Sequence, residues 1–440
     1  MAAIDASQYA EIIIESNDKK KAIDIRLGVV SIDYYEDIFS PTITAKMVVV
    51  NTGNTVEGED GSLQSLYNGL PLRGAERVSL KIEGNTESNP GIDFATLADR
   101  YLYVSGISNV VSEGEKEVFT LNLVSREAIT NETTRVARKY PSSSPISTSV
   151  EDILTKKIQT SRELNIDKTQ NKYGFIGNLR KPFTVLTWLA SKSVPDISQE
   201  DSTAGFVFYQ TKDSYDFRSI DSLMTKDPKA TYIYKTGASD SPSDQDFNIL
   251  SYVTNKNQNL LENLRMGTYS SQRIFLNPLT FGLTPQDKSV FSSQNYSGKV
   301  KNLGKNIELP PISEGSDVSL ADVPTRIMTQ ILDVGTLDKG VSKDDTNSDP
   351  EKYQSQTVMR YNSLFTQTLT MTVPSNTNLK AGDIIECKFP KTTVSTDKRE
   401  FDEEQSGLYM IKELCHHFDT NGSYTSMKLV RDTFGKSTTI

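Results

Sequence analysis

The chain has 440 residues, too many for one ordinary core and suited to about three domains. An apolar fraction of 36% and a charged fraction of 24% exclude a disordered chain. With 48 Lys+Arg against 57 Asp+Glu, the net charge of −9 argues against general phosphate binding, which needs clustered cations. The runs Lys19-Lys20-Lys21 and Arg180-Lys181 are short and read as solvated turns. Cys387 and Cys415 are too few for a disulfide framework, match no zinc spacing and read as buried small hydrophobes. The first residues lack the basic and apolar regions of a signal peptide, and no apolar run of about 18 residues occurs. The expectation is a protein kept in a cytoplasm, or assembled into a particle there, with no membrane insertion.

In chain order, residues 9–14 read as a strand, Ser16-Asn17-Asp18 as a turn, and 22–27 as the returning strand. Further strands are predicted at about 42–50, 77–83, 101–111 and 117–125. Beyond Arg126 the period changes. Ser149 and Asp152 resemble a capping box, and Val150, Ile153, Leu154 and Ile158 share a helical face. A second helix is predicted from Pro182, through Phe183, Val185, Leu186, Trp188 and Leu189. Strands resume at 205–209 and 215–217 around a turn at 211–214. Stretches 236–247 and 337–355 read as loops. Short helices are predicted near 257–266, 322–334 and 350–364, and strands return after that.

A weak internal repeat is the most informative feature. Leu102-Tyr103 matches Leu408-Tyr409 and Leu123-Val124 matches Leu429-Val430, both 306 residues apart. With a one-residue shift, Leu72-Arg73-Gly74-Ala75-Glu76 matches Leu379-Lys380-Ala381-Gly382-Asp383, and Val78 and Leu80 match Ile385 and Cys387. The small residues fit a tight turn into a strand. Ile12-Ile13-Ile14 with its Asn17-Asp18 turn parallels Phe206-Val207-Phe208 with its Lys212-Asp213 turn. The predicted class is mainly β with α+β insertions: two tandem similar β-barrel domains, a small α/β domain and a loop-rich insertion. The expected boundaries are 1–128 for the first barrel, 129–204 for the α/β domain, 205–234 with 357–440 for a split second barrel, and 235–356 for the insertion with short helices. Two like barrels per chain would let three subunits present six around one axis, joining a threefold partner to a sixfold one.

Phe175 to Lys192, Ala204 to Asp213, Asn378 to Pro390 and Gly407 to Phe418 resemble the baseplate central hub subunit of contractile-tailed myoviruses, T-even-like and of cyanophage type. The resemblance covers most of residues 8–435 and is weak in 235–350. It implies a homotrimeric pseudo-sixfold ring, docked to a central spike protein below and to tail tube or tube-initiator proteins above. Tape measure and baseplate wedge proteins are further candidate partners, and the location implied is the tail baseplate of the virion. Kinship with the base of type VI secretion spikes is also implied.

Catalytic motifs are missing. His416 and His417, the two histidines, point to opposite faces of a strand and cannot share one metal. There is no GxSxG elbow, no HExxH, and Gly435-Lys436-Ser437 lacks the earlier glycine of a phosphate loop. Two carboxylates suffice for a glycosidase, and Glu403 and Glu404 lie in the acidic stretch Asp397 to Glu404, which reads as solvated or partner-contacting. No cofactor, metal or catalytic residue is expected, nor any sequence-specific nucleic acid. The alternatives kept open are a tail-associated peptidoglycan hydrolase and a single-ring tail tube or tube-initiator protein. Candidate partner contacts are the barrel loops and the segment after Asp432.

Overall fold

The computed structural model describes the chain except residues 1, 58–60, 71, 197–201, 236–244, 297–299, 306–308, 335–346, 392–400 and 436–440. The acidic stretch at 397–400 and the Lys436-Ser437 pair therefore lie outside the described residues.

Strands β1 (Gln8–Glu15) and β2 (Ala22–Asp24) form a hairpin, and a 3₁₀ turn at Arg26–Gly28 leads into β3 (Val29–Asp37) and β4 (Thr44–Thr52). The returning strand is thus shorter than expected. A small pair, β5 (Val56–Glu57) and β6 (Leu63–Gln64), precedes β7 (Arg77–Glu83), β8 (Gly91–Asp93) and the long hairpin β9 (Leu102–Glu113) and β10 (Lys116–Ser125). Burial alternates along β3 and β4, as period-two strands with one face on a core require. That core gathers Ile12, Ile14, Ile32, Tyr34, Met47, Val78, Phe119 and Leu121, with Phe418 from the far end of the chain.

A mixed α/β unit follows. It holds a helix at Arg126–Thr133, β11 (Lys139–Tyr140), a helix at Ile146–Ile153 running on through a π turn to Ile158, β12 (Glu163–Ile166), β13 (Phe175–Ile176) and a helix at Pro182–Ala190. Pro182 opens its helix as predicted, and the next amide, Phe183 N–H, donates to the Asn131 side chain at 2.8 Å. The hairpin β14 (Phe206–Gln210) and β15 (Ser214–Ser219) joins this unit, because β15 pairs in parallel with β12. Residues 206–219 therefore do not hold the place of Ile12–Ile14 in a second copy. Both faces of the hairpin are covered, one by the α/β core and the other by Ile384, Met410 and Val430, so its run of apolar residues reflects double burial.

Beyond a short helix at Ile220–Met224 come β16 (Pro228–Ile233), β17 (Ser251–Asn257), a helix at Leu260–Met266, β18 (Ser270–Leu276), β19 (Val290–Ser292) and β20 (Arg326–Ile331). The last corrects the helix expected near 322–334: Arg326–Ile331 alternates in burial and runs parallel to β18. Strand β17 corrects the insertion boundary, since it pairs with β21 (Gln367–Pro374). What remains of the insertion carries its own sheet, in the order β19-β18-β20. The helix at Pro350–Ser363 precedes β21, and β22 (Ile384–Lys388), β23 (Gly407–Asp419) and β24 (Ser423–Arg431) complete the chain.

Among the described residues, fourteen strands form one continuous sheet, along the path β17-β21-β24-β23-β3-β4-β10-β9-β7-β1-β2, with β16, β22 and β8 attached. Its C-terminal half surrounds a second core of Met371, Ile385, Cys387, Tyr409, Ile411, Met427 and Leu429. The two halves carry the same module. Ala75 N–H donates to Val104 O at 2.7 Å and Val104 N–H to Glu76 O at 2.9 Å; Gly382 N–H donates to Ile411 O at 2.8 Å and Ile411 N–H to Asp383 O at 2.9 Å. Each acidic residue closes its turn by accepting from the amide three residues earlier, Arg73 to Glu76 at 2.7 Å and Lys380 to Asp383 at 3.1 Å.

Register refines the repeat. Val78 faces Leu102 as Ile385 faces Tyr409, and Leu123 faces Val104 as Leu429 faces Ile411. Leu102 is thus equivalent to Tyr409, one residue from the match read in the sequence. The 306-residue spacing holds nearer the hairpin tip, where Val118 faces Val111 as Tyr424 faces His417. The change falls at Asn109, an extra residue at φ +54° where the β9–β10 register shifts. On the other flank Leu121 faces Met47, which faces Ile32, while Met427 faces Met371, which faces Tyr252. Strands β4 and β3 therefore correspond to β21 and β17.

Candidate assembly interface

The halves meet where β3 pairs antiparallel with β23, from Asp37 opposite Glu413 to Ser31 opposite Asp419. Ile38 N–H extends the ladder to Lys412 O at 2.9 Å. On the inner face, Tyr34 and His416 are fully buried with parallel rings 6.1 Å apart, and Phe418 crosses into the first core. On the outer face, His417 Nδ1 lies 2.6 Å from Asp33 and its Nε2 3.3 Å from Asp419, while Lys412 Nζ sits 2.6 Å from Asp37.

Glu36 ties three units together. Its carboxylate accepts from the Tyr34 hydroxyl at 2.8 Å, from Lys212 N–H at 2.7 Å in the α/β unit, and from Ala381 N–H at 2.9 Å in the C-terminal half. Burial pushes its pKa up to about 7, although all three hydrogen bonds favour the ionised form. Gln210 makes a second tie, its Oε1 accepting from Ile43 N–H at 3.1 Å and from the Ser125 hydroxyl at 3.0 Å. Arg360, on the helix Pro350–Ser363, makes a third: it lies 2.8 Å from both Asp221 and Asp432, all three buried. These contacts fix the α/β unit against both halves of the sheet.

The residues singled out in the sequence stay apart. His416 and His417 occupy opposite faces as expected: burial lowers His416 to about 3, while the hydrogen bond to Asp33 raises His417. Cys387 is fully buried and Cys415 half-buried, with burial raising both thiols, Cys415 to about 12. Glu403 and Glu404 are exposed, and Glu404 pairs with Lys305 at 3.5 Å. Lys20 pairs with Asp18 at 3.6 Å, Lys21 Nζ donates to Glu57 O at 2.8 Å, and Lys181 pairs with Glu132. A cleft of about 440 Å³ opens between Tyr269, Tyr296 and Arg360; its one acidic residue, Asp432, is held by Arg360. A polar cleft of about 330 Å³ contains Asp213, Asp216 and Asp383; Asp213 lies 2.6 Å from Lys380, Asp383 3.6 Å from Lys226, and Asp216 accepts from Ser214 at 2.6 Å. No group of three or more metal-ligating side chains forms among the described residues, and no helix among them is long and apolar enough to cross a membrane.

The residues that hold the units together, Asp33, Tyr34, Glu36 and Arg360, went unnoticed in the sequence. The alternation Ile32, Tyr34, Glu36 against Asp33, Tyr35, Asp37 carried the signal for β3.

The fold matches those of two solved tail proteins. A tail protein from Neisseria meningitidis MC58 superposes with a TM-score of 0.54, at 10% identity over 96% of each chain. The 43 kDa tail protein of prophage MuSo2 from Shewanella oneidensis superposes at 0.52, with 9% identity over 96% of this chain and 98% of that one. In sequence, the chain is similar to the protein named "Probable baseplate hub protein gp334" of Vibrio phage KVP40, 21% identical over 295 residues, 65% of this chain. The matched region spans 66% of that relative's length. No family model matches.

Proposed function

We propose that the chain is a structural hub subunit of a contractile phage tail baseplate, assembled in the host cytoplasm into a homotrimeric, pseudo-sixfold ring that links a threefold central spike to a sixfold tail tube. The observation that carries this reading is the repeated module, with the same turn in both halves of one sheet and a hairpin register that differs only by the bulged residue at Asn109. Closing contacts support a barrel-like form for each half: Ile25 N–H donates to Ile12 O at 2.9 Å, and Ile249 N–H to Ile233 O at 3.0 Å. Three chains then supply six like modules around an axis. The net charge of −9 suits a lumen that DNA crosses without sticking.

Native mass spectrometry of the full chain tests the ring, alone and co-expressed with the spike and tube proteins. A mass of three times 48.9 kDa is expected, and a monomer under all conditions overturns the reading. The chain is read as non-enzymatic. A peptidoglycan zymogram is expected to stay uncleared; clearing that is lost in Glu403→Gln or Glu404→Gln would replace the structural reading with a hydrolase.

A further inference from the structure

The correspondence between the halves exposes an asymmetry. In the N-terminal half, β3 pairs on one side with β4 and on the other with β23. Its equivalent, β17, pairs among the described residues with β21 alone. Likewise β23 pairs with β24 and, along Glu413–Asp419, with β3. Its equivalent stretch, Gly106 to Glu113 of β9, pairs among the described residues with β10 alone, because the β7–β9 pairing ends at Tyr103. One chain therefore contains the β3–β23 seam once and leaves both halves of a second such seam open.

We propose that the open edge of β17 in one subunit pairs antiparallel with the open edge of β9 in the next copy of this chain, repeating the internal seam. This rests on the ring reading above. Transferring the β3–β23 register places Glu113 opposite Ser251, Ser112 opposite Tyr252, Val111 opposite Val253 and Val110 opposite Thr254.

Two features support that register. Between Val104 and Val111, β9 carries one residue more than β23 does between Ile411 and His417, the bulged Asn109. Where Tyr34 and Tyr35 are consecutive in β3, β17 has an extra residue, Asn255, between Thr254 and Lys256, and its pairing with β21 shifts there. In the transferred register Asn109 falls opposite Asn255, so the two extra residues cancel and the ladder runs unbroken to Ile107 opposite Asn257. The positions held inside the chain by His417 and Asp33 are held here by Val111 and Val253. These valines are 59% and 62% exposed, and they become a direct cross-strand pair. Free, flat edges with exposed apolar residues are templates for strand addition. The contact is head-to-tail, so it closes a ring only where the rotation per subunit permits.

Disulfide trapping tests the seam. Val111→Cys and Val253→Cys are introduced together into the full chain in a Cys415→Ser background. Mild oxidation is expected to link subunits into a covalent series ending at the closed trimer. Linkage is expected to be lost in either single variant and in the off-register pair Val111→Cys with Ser251→Cys. A trimer by mass that fails to link at Val111 and Val253, or links equally well off register, overturns the seam and leaves the ring standing. A chain that stays monomeric and never links overturns both.

Discussion

Ala75 and Gly382 occupy the same place in the two halves. Both have positive φ, +71° and +82°, and the amide of each donates to the carbonyl of the equivalent residue of the long hairpin, Val104 or Ile411. An L side chain is strained in that region, so one half tolerates a cost that the other avoids. Ala75→Gly is expected to be neutral or to stabilise by up to about 1 kcal/mol. Gly382→Ala is expected to destabilise by about 2 kcal/mol or more, since its Cβ would also lie 2.5 Å from the Tyr209 hydroxyl. Chemical denaturation of the two variants beside the parent measures the difference.

Glu36 predicts a pH dependence of stability. Its folded pKa of about 7 lies above the ordinary 4.5, so the folded state binds the proton more tightly. The stability this supplies is full below 4.5 and is lost as pH rises through about 7. Glu36→Gln removes the titration and leaves one buried donor without an acceptor, for a cost of about 1–3 kcal/mol. The gap between parent and variant is expected to narrow as pH rises across that window. Denaturation curves that stay parallel would count against Glu36 as the titrating group.

The His417–Asp33 pair runs in the same direction for a different cause. The hydrogen bond to Asp33 raises His417, so the stability it supplies is present in mild acid and fades as pH passes its raised value. The pair is part-exposed, which limits its worth to about 1 kcal/mol. His417→Ala is expected to destabilise in mild acid and to become nearly neutral in alkaline buffer. Thermal melts at the two extremes measure this.

Arg360 stands between two buried carboxylates. Arg360→Met leaves Asp221 and Asp432 without their cation, and a loss of about 3–5 kcal/mol is expected. Adding Asp221→Asn and Asp432→Asn is expected to recover part of it. If the triple variant is no more stable than Arg360→Met, uncompensated charge is not the cause.

The strands of the N-terminal half were legible because Arg77–Glu83 alternates, while Gln8–Glu15 and Lys116–Ser125 are short runs rich in Ile, Val, Leu and aromatic residues with turn residues at one end. Strand β3 was missed because acidic residues occupy three of its nine positions, Asp33, Glu36 and Asp37, and the partners of Asp33 and Glu36 lie hundreds of residues away. Phe206–Gln210 was placed in the wrong sheet because a doubly buried strand has no alternation to say which side it joins. The repeat was legible in residue identities, but its register was not. One bulged residue at Asn109 moves the equivalence by a position, and only the cross-strand partners locate it.

The seam between β3 and β23 also sets an order of events at the ribosome. Asp33 waits for Cys415, 382 residues later, and the first core stays incomplete until Phe418 arrives. An emerging N-terminal half therefore exposes a naked strand through nearly all of translation, the condition in which nascent chains recruit chaperones or associate wrongly. A subunit truncated before residue 413 keeps that edge open for good, and stop mutations near the end of the chain become as damaging as those near its start.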